Sequence, residues 1–374
     1  MAQPLVRSQT ESKRYGYDRL IEISMYGWDG LRRFDLRQLP GCFAVRLARV
    51  GLYTIGLAVL AFGPVGVASA DVHRTAGASP RITIASPKPD IYAAGQKLVV
   101  KFSCTAASGI TSCNATLSGA GTRARTLASG TAMKPAKTGR YALRITARDR
   151  RRRSTTTTVE FLVERAISWS GYTWFVRHPG WGGPGPNHWS DSSANVHVSG
   201  GDLVLSIVQE GSGVWTSAEV DNQRHLGYGT YRWLITSDLS GVDPYQVIGM
   251  FTSGGAGPSV DEIDIEPSRW GDPLSPDGSA AVWQNILTRT NESTTFAYSS
   301  SPPYINQFTW SPGRVTFLVT DATGAVLLDW TVTSGVPKPS TEIPILNFWR
   351  FHDTPPAAVS TVRIASFSWT PLGH

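Results

Sequence analysis

The residues best placed to do chemistry are three carboxylates in one short run, Asp261-Glu262-Ile263-Asp264-Ile265-Glu266. Side chains of a β-strand alternate between its two faces. On a strand, Glu262, Asp264 and Glu266 share one face, and Ile263 and Ile265 point the other way into a core. Three carboxylates side by side repel one another, a cost that a purely structural strand has no reason to carry. A row of this kind suits a site that needs acids with separated pKa values. Cleavage of a glycosidic bond with retention is such a case. One carboxylate attacks the anomeric carbon, and a protonated carboxyl roughly 5–5.5 Å away donates to the leaving oxygen. Residues four apart on a strand have Cα atoms about 13 Å apart at ~3.3 Å per residue. The two Glu side chains must therefore lean together over the shorter Asp264. Asp264 can hydrogen-bond either neighbour and help decide which holds the proton.

Such a row needs a sheet, and the surrounding sequence supplies one. From residue 166 onward, short strand-like runs recur between turn clusters: Leu203–Val208, Tyr228–Ile235, Gln246–Phe251, Arg314–Val319, Val326–Val332 and Val362–Trp369. No long 3.6-residue periodicity interrupts them. Two packed antiparallel sheets are the expected architecture. The chain has 37 glycines and 24 prolines, which favours many turns between short strands.

The motif and its surroundings resemble glycoside hydrolase family 16, the concanavalin-A-like glucanases. Upstream, Ser217-Ala218-Glu219 and Gly227-Tyr228-Gly229-Thr230-Tyr231 are similar to two of that family's segments. Downstream, Phe308–Val315, Ile345-Leu346-Asn347-Phe348-Trp349 and Arg363–Trp369 are similar to three of its strands, in the same order. The resemblance spans about 200 residues and implies an all-β fold with a C-terminal β-jelly-roll sandwich. It implies Glu262 as nucleophile, Asp264 as its assistant, Glu266 as acid/base, and a polysaccharide substrate. The spacing E-x-D-x-E is the regular, unbulged form of that family's motif, which leans toward β-1,3-1,4- or β-1,4-linked glucans. Two departures stand out. Pro267 follows the last Glu, and Asp221 stands where lichenases have Arg.

Sugar rings stack on aromatic faces while polar side chains fix their hydroxyls. Trp270, just past the motif, and Trp349 with Asn347 are the expected contacts. Gln284 or Asn285, depending on strand parity, and Glu219 and Tyr228 complete the substrate-binding set. Trp181 and Trp189 flank or lie within a Gly/Pro-rich loop, residues 180–187, that could cap one end of a cleft. Trp310 and Trp369 read as core.

The organisation before residue 166 is different. Residues 82–164 carry strand-like runs at Leu98–Cys104, Asn114–Leu117, Tyr141–Asp149 and Thr155–Val163, with Arg150–Arg153 as a turn. They read as a small β-sandwich and resemble the immunoglobulin-like repeats of bacterial secreted proteins, which serve as spacers or binding modules. Residues 1–70 read as a leader. Gly51–Val67 is mostly apolar, preceded by Arg46 and Arg49 and followed by Ala68-Ser69-Ala70. That is the pattern of a secretory signal cleaved near Ala70, with a retained anchor over residues 51–67 as the alternative. Cys42 leaves with the leader. Cys104 and Cys113 then form an even pair, read as a disulfide in an oxidising compartment.

Charge divides the chain further. The net charge of +7 combines about +4 over residues 1–70, +12 over residues 71–165 and −9 over residues 166–374. Twelve of the 13 tryptophans lie in the acidic part, so its ligand is not a polyanion, and nucleic acid is excluded as a partner. The basic segment could meet an anionic surface such as a cell wall. A monomer is expected. No cofactor is expected, although the fold has room for a structural calcium with no visible ligand pattern. The chain has no G-x-S-x-G elbow, Walker loop or H-E-x-x-H motif. A secreted endo-acting β-glucan hydrolase is the leading reading. A non-catalytic polysaccharide-binding module, a transglycosylase and a structural surface protein are the alternatives.

Overall fold

The computed structural model describes residues 78–254, 260–285 and 291–373. The expected leader, signal and Cys42 lie outside the described residues. Apart from one 3-10 turn, Phe351–Asp353, the regular structure of the described residues is β-strand. The described residues from Ser79 onward belong to one compact unit.

The first strands build a small sandwich. Gly139–Asp149 shows why: its buried residues alternate with exposed ones, placing Tyr141, Leu143, Ile145 and Ala147 inside. Tyr141, Leu143 and Ile145 pack with Leu98, Val100, Leu117, Phe161 and Val163 as a separate core. The Cys104–Cys113 disulfide joins the strand Lys101–Thr105 to the strand Ile110–Gly119. The basic run 150–153 is a turn, closed by a backbone hydrogen bond from Asp149 N to Arg153 O at 3.0 Å.

The second half is an antiparallel two-sheet sandwich of the jelly-roll type. One sheet runs Asn291–Phe296, Gly278–Gln284, Asp261–Pro267, Gln246–Gly254, Ile343–Arg350, Ala218–Asp221 and Tyr172–Val176. The other runs Val196–Ser199, Asp202–Gln209, Ser360–Pro371, Gly229–Ile235, Tyr304–Ser311, Arg314–Thr320 and Val326–Val332. Every strand-like run read from the sequence after residue 166 falls on one of these strands. Between the sheets lie Trp174, Val220, Ile248, Met250, Ile263, Ile265, Leu346 and Phe348 from the first. Tyr231, Trp233, Phe308, Trp310, Phe317 and Ile364 meet them from the second. Ile263 and Ile265 point into this core, as the alternation of the motif requires.

One strand belongs to both halves. Ser154–Trp169 pairs with Gly139–Asp149 through residues 154–163, with Ile91–Ala93 through residues 162–164, and with Tyr172–Val176 through residues 165–169. Its backbone is hydrogen-bonded to a neighbour on both sides of residue 165, where the sequence changes character.

Candidate active site

The strand Asp261–Pro267 lies between Gln246–Gly254 and Gly278–Gln284, and its pairing to both is regular, without a bulge. Glu262 therefore stands between Ser253 and Trp283, Asp264 between Phe251 and Ala281, and Glu266 beside Ser279. The three carboxylates share the face away from the core. Glu262 and Asp264 are 8% and 2% exposed, and Glu266 is half-buried. A pocket opens at Asp264 and Glu266, walled by Trp270, Ser279 and Trp283.

Burial pushes all three carboxyl groups up, and repulsion from the neighbouring acids adds to it at Glu262 and Glu266. The hydrogen bonds separate them. Asp264 accepts from Trp283 Nε1 at 3.0 Å and from the backbone of Ala281, which hold it to about 7. Glu262 accepts from the Ser253 hydroxyl, which works against its upward shift. Among the described residues, nothing donates to the Glu266 carboxylate, whose causes of shift are burial, Asp264 and Glu262. The hydrogen bond between Glu262 and Asp264 lowers Asp264 and raises Glu262, so of the three carboxyl groups negative charge is favoured on Asp264 and a proton on Glu262 and on Glu266.

The arrangement has a cost with a readable sign. The Asp264 carboxyl sits at about 7 in the fold against 3.8 when free. Between those values the folded state holds a proton that the unfolded chain releases, so stability falls as pH rises from about 4 to 7 and levels off above. For one group the loss is on the order of 4 kcal/mol. Asp264→Asn keeps an oxygen for Trp283 and removes this titration. Scanning calorimetry of the variant is expected to show a Tm higher by ~5 °C or more at pH 8, with little change at pH 4. A pH dependence identical to that of the native chain would overturn this assignment.

A second polar group occupies the same face three strands away. Glu219, 1% exposed, accepts from Arg177 Nη1 at 3.3 Å and from Asn347 Nδ2 at 3.3 Å. Asn347 Oδ1 in turn accepts from Gly249 N at 3.0 Å. Arg177 also donates to Gly183 O at 2.7 Å, and its guanidinium lies 4.3 Å from the Trp189 ring centroid. Asp221, on the strand of Glu219, is pushed well up by burial and by Glu164, and accepts from Gln223. Glu164 pairs with His178 Nδ1 at 2.8 Å. The negative charge of Glu219 reaches Glu262 and helps to raise it. Among the described residues, no group of His, Cys, Asp and Glu is arranged to hold a metal ion.

The structure brings Glu262, Asp264, Glu266 and Trp270 together and gives the remaining expected contacts other work. Trp270 donates from Nε1 to Ser279 Oγ at 3.2 Å and lines the pocket. Trp349 is 2% exposed and packs with Trp189, Val247 and Phe351, edge-on to Trp270 at 6.0 Å. It backs the Trp270 ring and presents no free face to a sugar. Asn347 and Glu219 are hydrogen-bonded to each other, and further to Gly249 and Arg177. Tyr228 packs edge-on to Trp310 at 5.3 Å, on the side of the core. Gln284 stands opposite Asp261, so its parity is opposite to that of the carboxylates, and Asn285 closes the strand with φ 108°. The side chain of this strand that does face Glu262 is Trp283. The Gly/Pro-rich loop is a short hairpin, Gly180–Gly182 against Asn187–Trp189, fixed by Asn187 to Pro184 O and Arg350 O. Trp189 is buried and Trp181 is exposed. Trp310 is core as expected, and Trp369 packs against the core.

Trp283, Ser253 and Arg177 were not singled out from the sequence. The parity of Trp283 follows from the pairing of Glu262 with it, and no local pattern encodes that register.

No protein-family model and no curated protein matches the chain. Among solved structures, the chain is similar to a β-glucanase of Bacillus licheniformis, at 18% identity over 53% of this chain and 92% of that chain, with a TM-score of 0.43. It is similar to a prokaryotic β-1,3-1,4-glucanase (lichenase) derived from a mouse hindgut metagenome, at 22% identity over 53% and 93%, with a TM-score of 0.42. It is also similar to an immunostimulatory antigen and pseudo β-1,3-glucanase of Mycobacterium tuberculosis, at 20% identity over 51% and 88%, with a TM-score of 0.40.

Proposed function

We propose that the protein is a secreted endo-acting glycosidase that hydrolyses β-glucan-type polysaccharides with retention of anomeric configuration. The observation that carries this reading is the row Glu262, Asp264 and Glu266 on one face of a regular strand, with donors to the first two and none to the third. In the first step, a Glu262 oxygen bonds to the anomeric carbon as the bond from that carbon to the leaving sugar oxygen breaks. Glu266 gives its proton to that oxygen. Asp264 holds charge beside Glu262 and, as a hydrogen-bond partner, follows the change in its protonation. In the second step, water attacks the anomeric carbon, Glu266 takes its proton, and Glu262 leaves as a carboxylate. Ser253 and Trp283 hold Glu262 and Asp264 in place, and Trp270 walls the pocket where a sugar ring would lie. A neutral polymer suits the net negative charge of this half of the chain, which repels polyanions. The Cys104–Cys113 disulfide and the leader pattern favour an exported protein.

The test is release of reducing sugar by the purified protein from barley β-glucan, laminarin, xyloglucan, agarose and carrageenan. Proton NMR of the first product should show the anomer of the substrate. Inversion would remove Glu262 from the role of nucleophile. The depth of Glu262, 8% exposed, favours a second reading, a polysaccharide-binding module without turnover. Retardation in a glucan-containing gel with no sugar release from any polymer would decide for it. Transfer to an added sugar acceptor in place of water would identify a transglycosylase using the same residues.

A further inference from the structure

The small sandwich carries a charged face that the proposed catalysis does not use. Along Gly139–Asp149 the inward residues alternate with Arg140, Ala142, Arg144, Thr146 and Arg148 on the outer face. Register places Thr116 and Thr158 on either side of Arg144, Asn114 and Thr156 beside Thr146, and Ser112 and Ser154 beside Arg148. The face is therefore a field of short hydroxyl and amide side chains, with exposed guanidinium groups set into it. Thr146 and Thr156 share a hydrogen bond of 3.1 Å across the strands. Arg144 and Arg148 are about 13 Å apart along their strand at ~3.3 Å per residue. Beyond Arg148 the turn adds Arg150, Arg151 and Arg152, all exposed.

The acids of this sandwich do not neutralise that charge. Asp149 is buried and spent on Arg153 and Ser108, which hold its carboxyl down at about 2. Glu164 is buried and paired with His178. Glu160 lies 4.0 Å from Arg140, at the end of the face farthest from the turn. Among the described residues, Arg144, Arg148, Arg151 and Arg152 form no ion pair. Register sets Glu160 opposite Ala142 on this face, diagonal to Arg144, so a single carboxylate stands among these guanidinium groups and the excess positive charge lies toward the turn, facing solvent.

We infer that this face binds an anionic polysaccharide, one bearing carboxylate or phosphodiester groups at regular intervals, and so docks the protein on a charged polymer distinct from its substrate. The chemistry of the face selects this partner. Guanidinium forks pair with carboxylate and phosphate oxygens, and hydroxyls beside them match the hydroxyls of sugar rings. The face presents no aromatic ring on which nucleic-acid bases could stack. It presents no large apolar side chain to enter a lipid surface. The docking does not depend on the proposed hydrolysis, and the two can fail separately.

The test is binding of the full chain to immobilised polygalacturonate and to phosphomannan, at 50 mM and 300 mM NaCl. Neutral dextran, duplex DNA and phosphatidylserine vesicles serve as comparisons. Binding to either charged glycan polymer is expected at low salt, weakening steeply at high salt. The variant R144S/R148S/R151S/R152S should lose about tenfold or more in affinity, since four exposed pairs add small increments. It should keep its melting temperature and its sugar release from β-glucan. The variant K88S/K97S, which removes two exposed charges off this face, should bind nearly as the native chain does. Equal loss in the two variants would reduce the effect to net charge and overturn the proposal. Absence of binding, or tighter binding to DNA or to the vesicles, would overturn it too.

Discussion

Glu262→Gln is expected to cost the protein about 10⁴-fold or more in kcat on its best polysaccharide, with the fold intact. An amide oxygen is a poor nucleophile toward the anomeric carbon, so the covalent route closes and only slow background routes remain. The substitution preserves shape and still accepts from Ser253. It removes one of three mutually repelling acids, so at pH 8 the Tm should hold or rise. This dissociation of activity from stability separates catalysis from a structural role for the row. Glu266→Gln should behave differently. Loss of a general acid costs about 10²–10⁴-fold. The loss should shrink on aryl glycosides, whose leaving group departs without a proton. Substrate turnover by Glu262→Gln within tenfold of the native rate would dismiss the row as the catalytic centre.

Arg177→Met is expected to destabilise the protein by about 3–5 kcal/mol, because it leaves a buried carboxylate without its counter-ion. Arg177 is 7% exposed and pairs with Glu219, which is buried beneath it and also accepts from Asn347 Nδ2. Asp221 also depends on this guanidinium to offset the repulsion of Glu164 and Glu219. The melting temperature should fall by ~5–15 °C at pH 8. It should fall less at pH 5, where the orphaned carboxyl groups can protonate. Arg177→Lys should recover only part of the loss, since an ammonium cannot bridge Gly183 O and Glu219 while lying over the Trp189 ring. Adding Glu219→Gln to Arg177→Met should restore much of the stability by neutralising the orphan. A Tm within 1–2 °C of native for Arg177→Met would show that water reaches Glu219 and that the pair is not structural.

What the sequence discloses about this site follows the distance over which each physical rule acts. A period of two fixes the shared face of Glu262, Asp264 and Glu266 and the inward course of Ile263 and Ile265, and the fold keeps both. The strands of both sandwiches are readable for the same reason. Partners across strands are a different matter. Ser253 and Trp283 meet Glu262 and Asp264 only through register, and register is set by the lengths of the connections between strands and by the whole core. Strand parity leaves Gln284 and Asn285 as equal candidates, and the register turns Trp283 instead to the carboxylate face. Glu219 and Asn347 carry polar side chains in a motif that invites a ligand, yet both are buried and hydrogen-bonded to each other, with Arg177, just past the strand Tyr172–Val176, closing on Glu219. Trp349 illustrates the same limit, for its type suits sugar stacking while Phe351 and Trp189 close over it.

The strand Ser154–Trp169 bears on how the chain would be cut. Proteases take segments that can detach locally and thread into an active site, and the links between domains usually offer them. Here residues 162–169 are held by Ile91–Ala93 and Tyr172–Val176, so the change in composition at residue 165 marks no weak point in the backbone. Limited digestion should leave the two sandwiches on one fragment. A chain shortened to begin at residue 166 would keep the pairing of residues 166–169 with Tyr172–Phe175, but it would lose the pairing of Arg165 with Val176 and the strand's anchorage to Ile91–Ala93 and Gly139–Asp149.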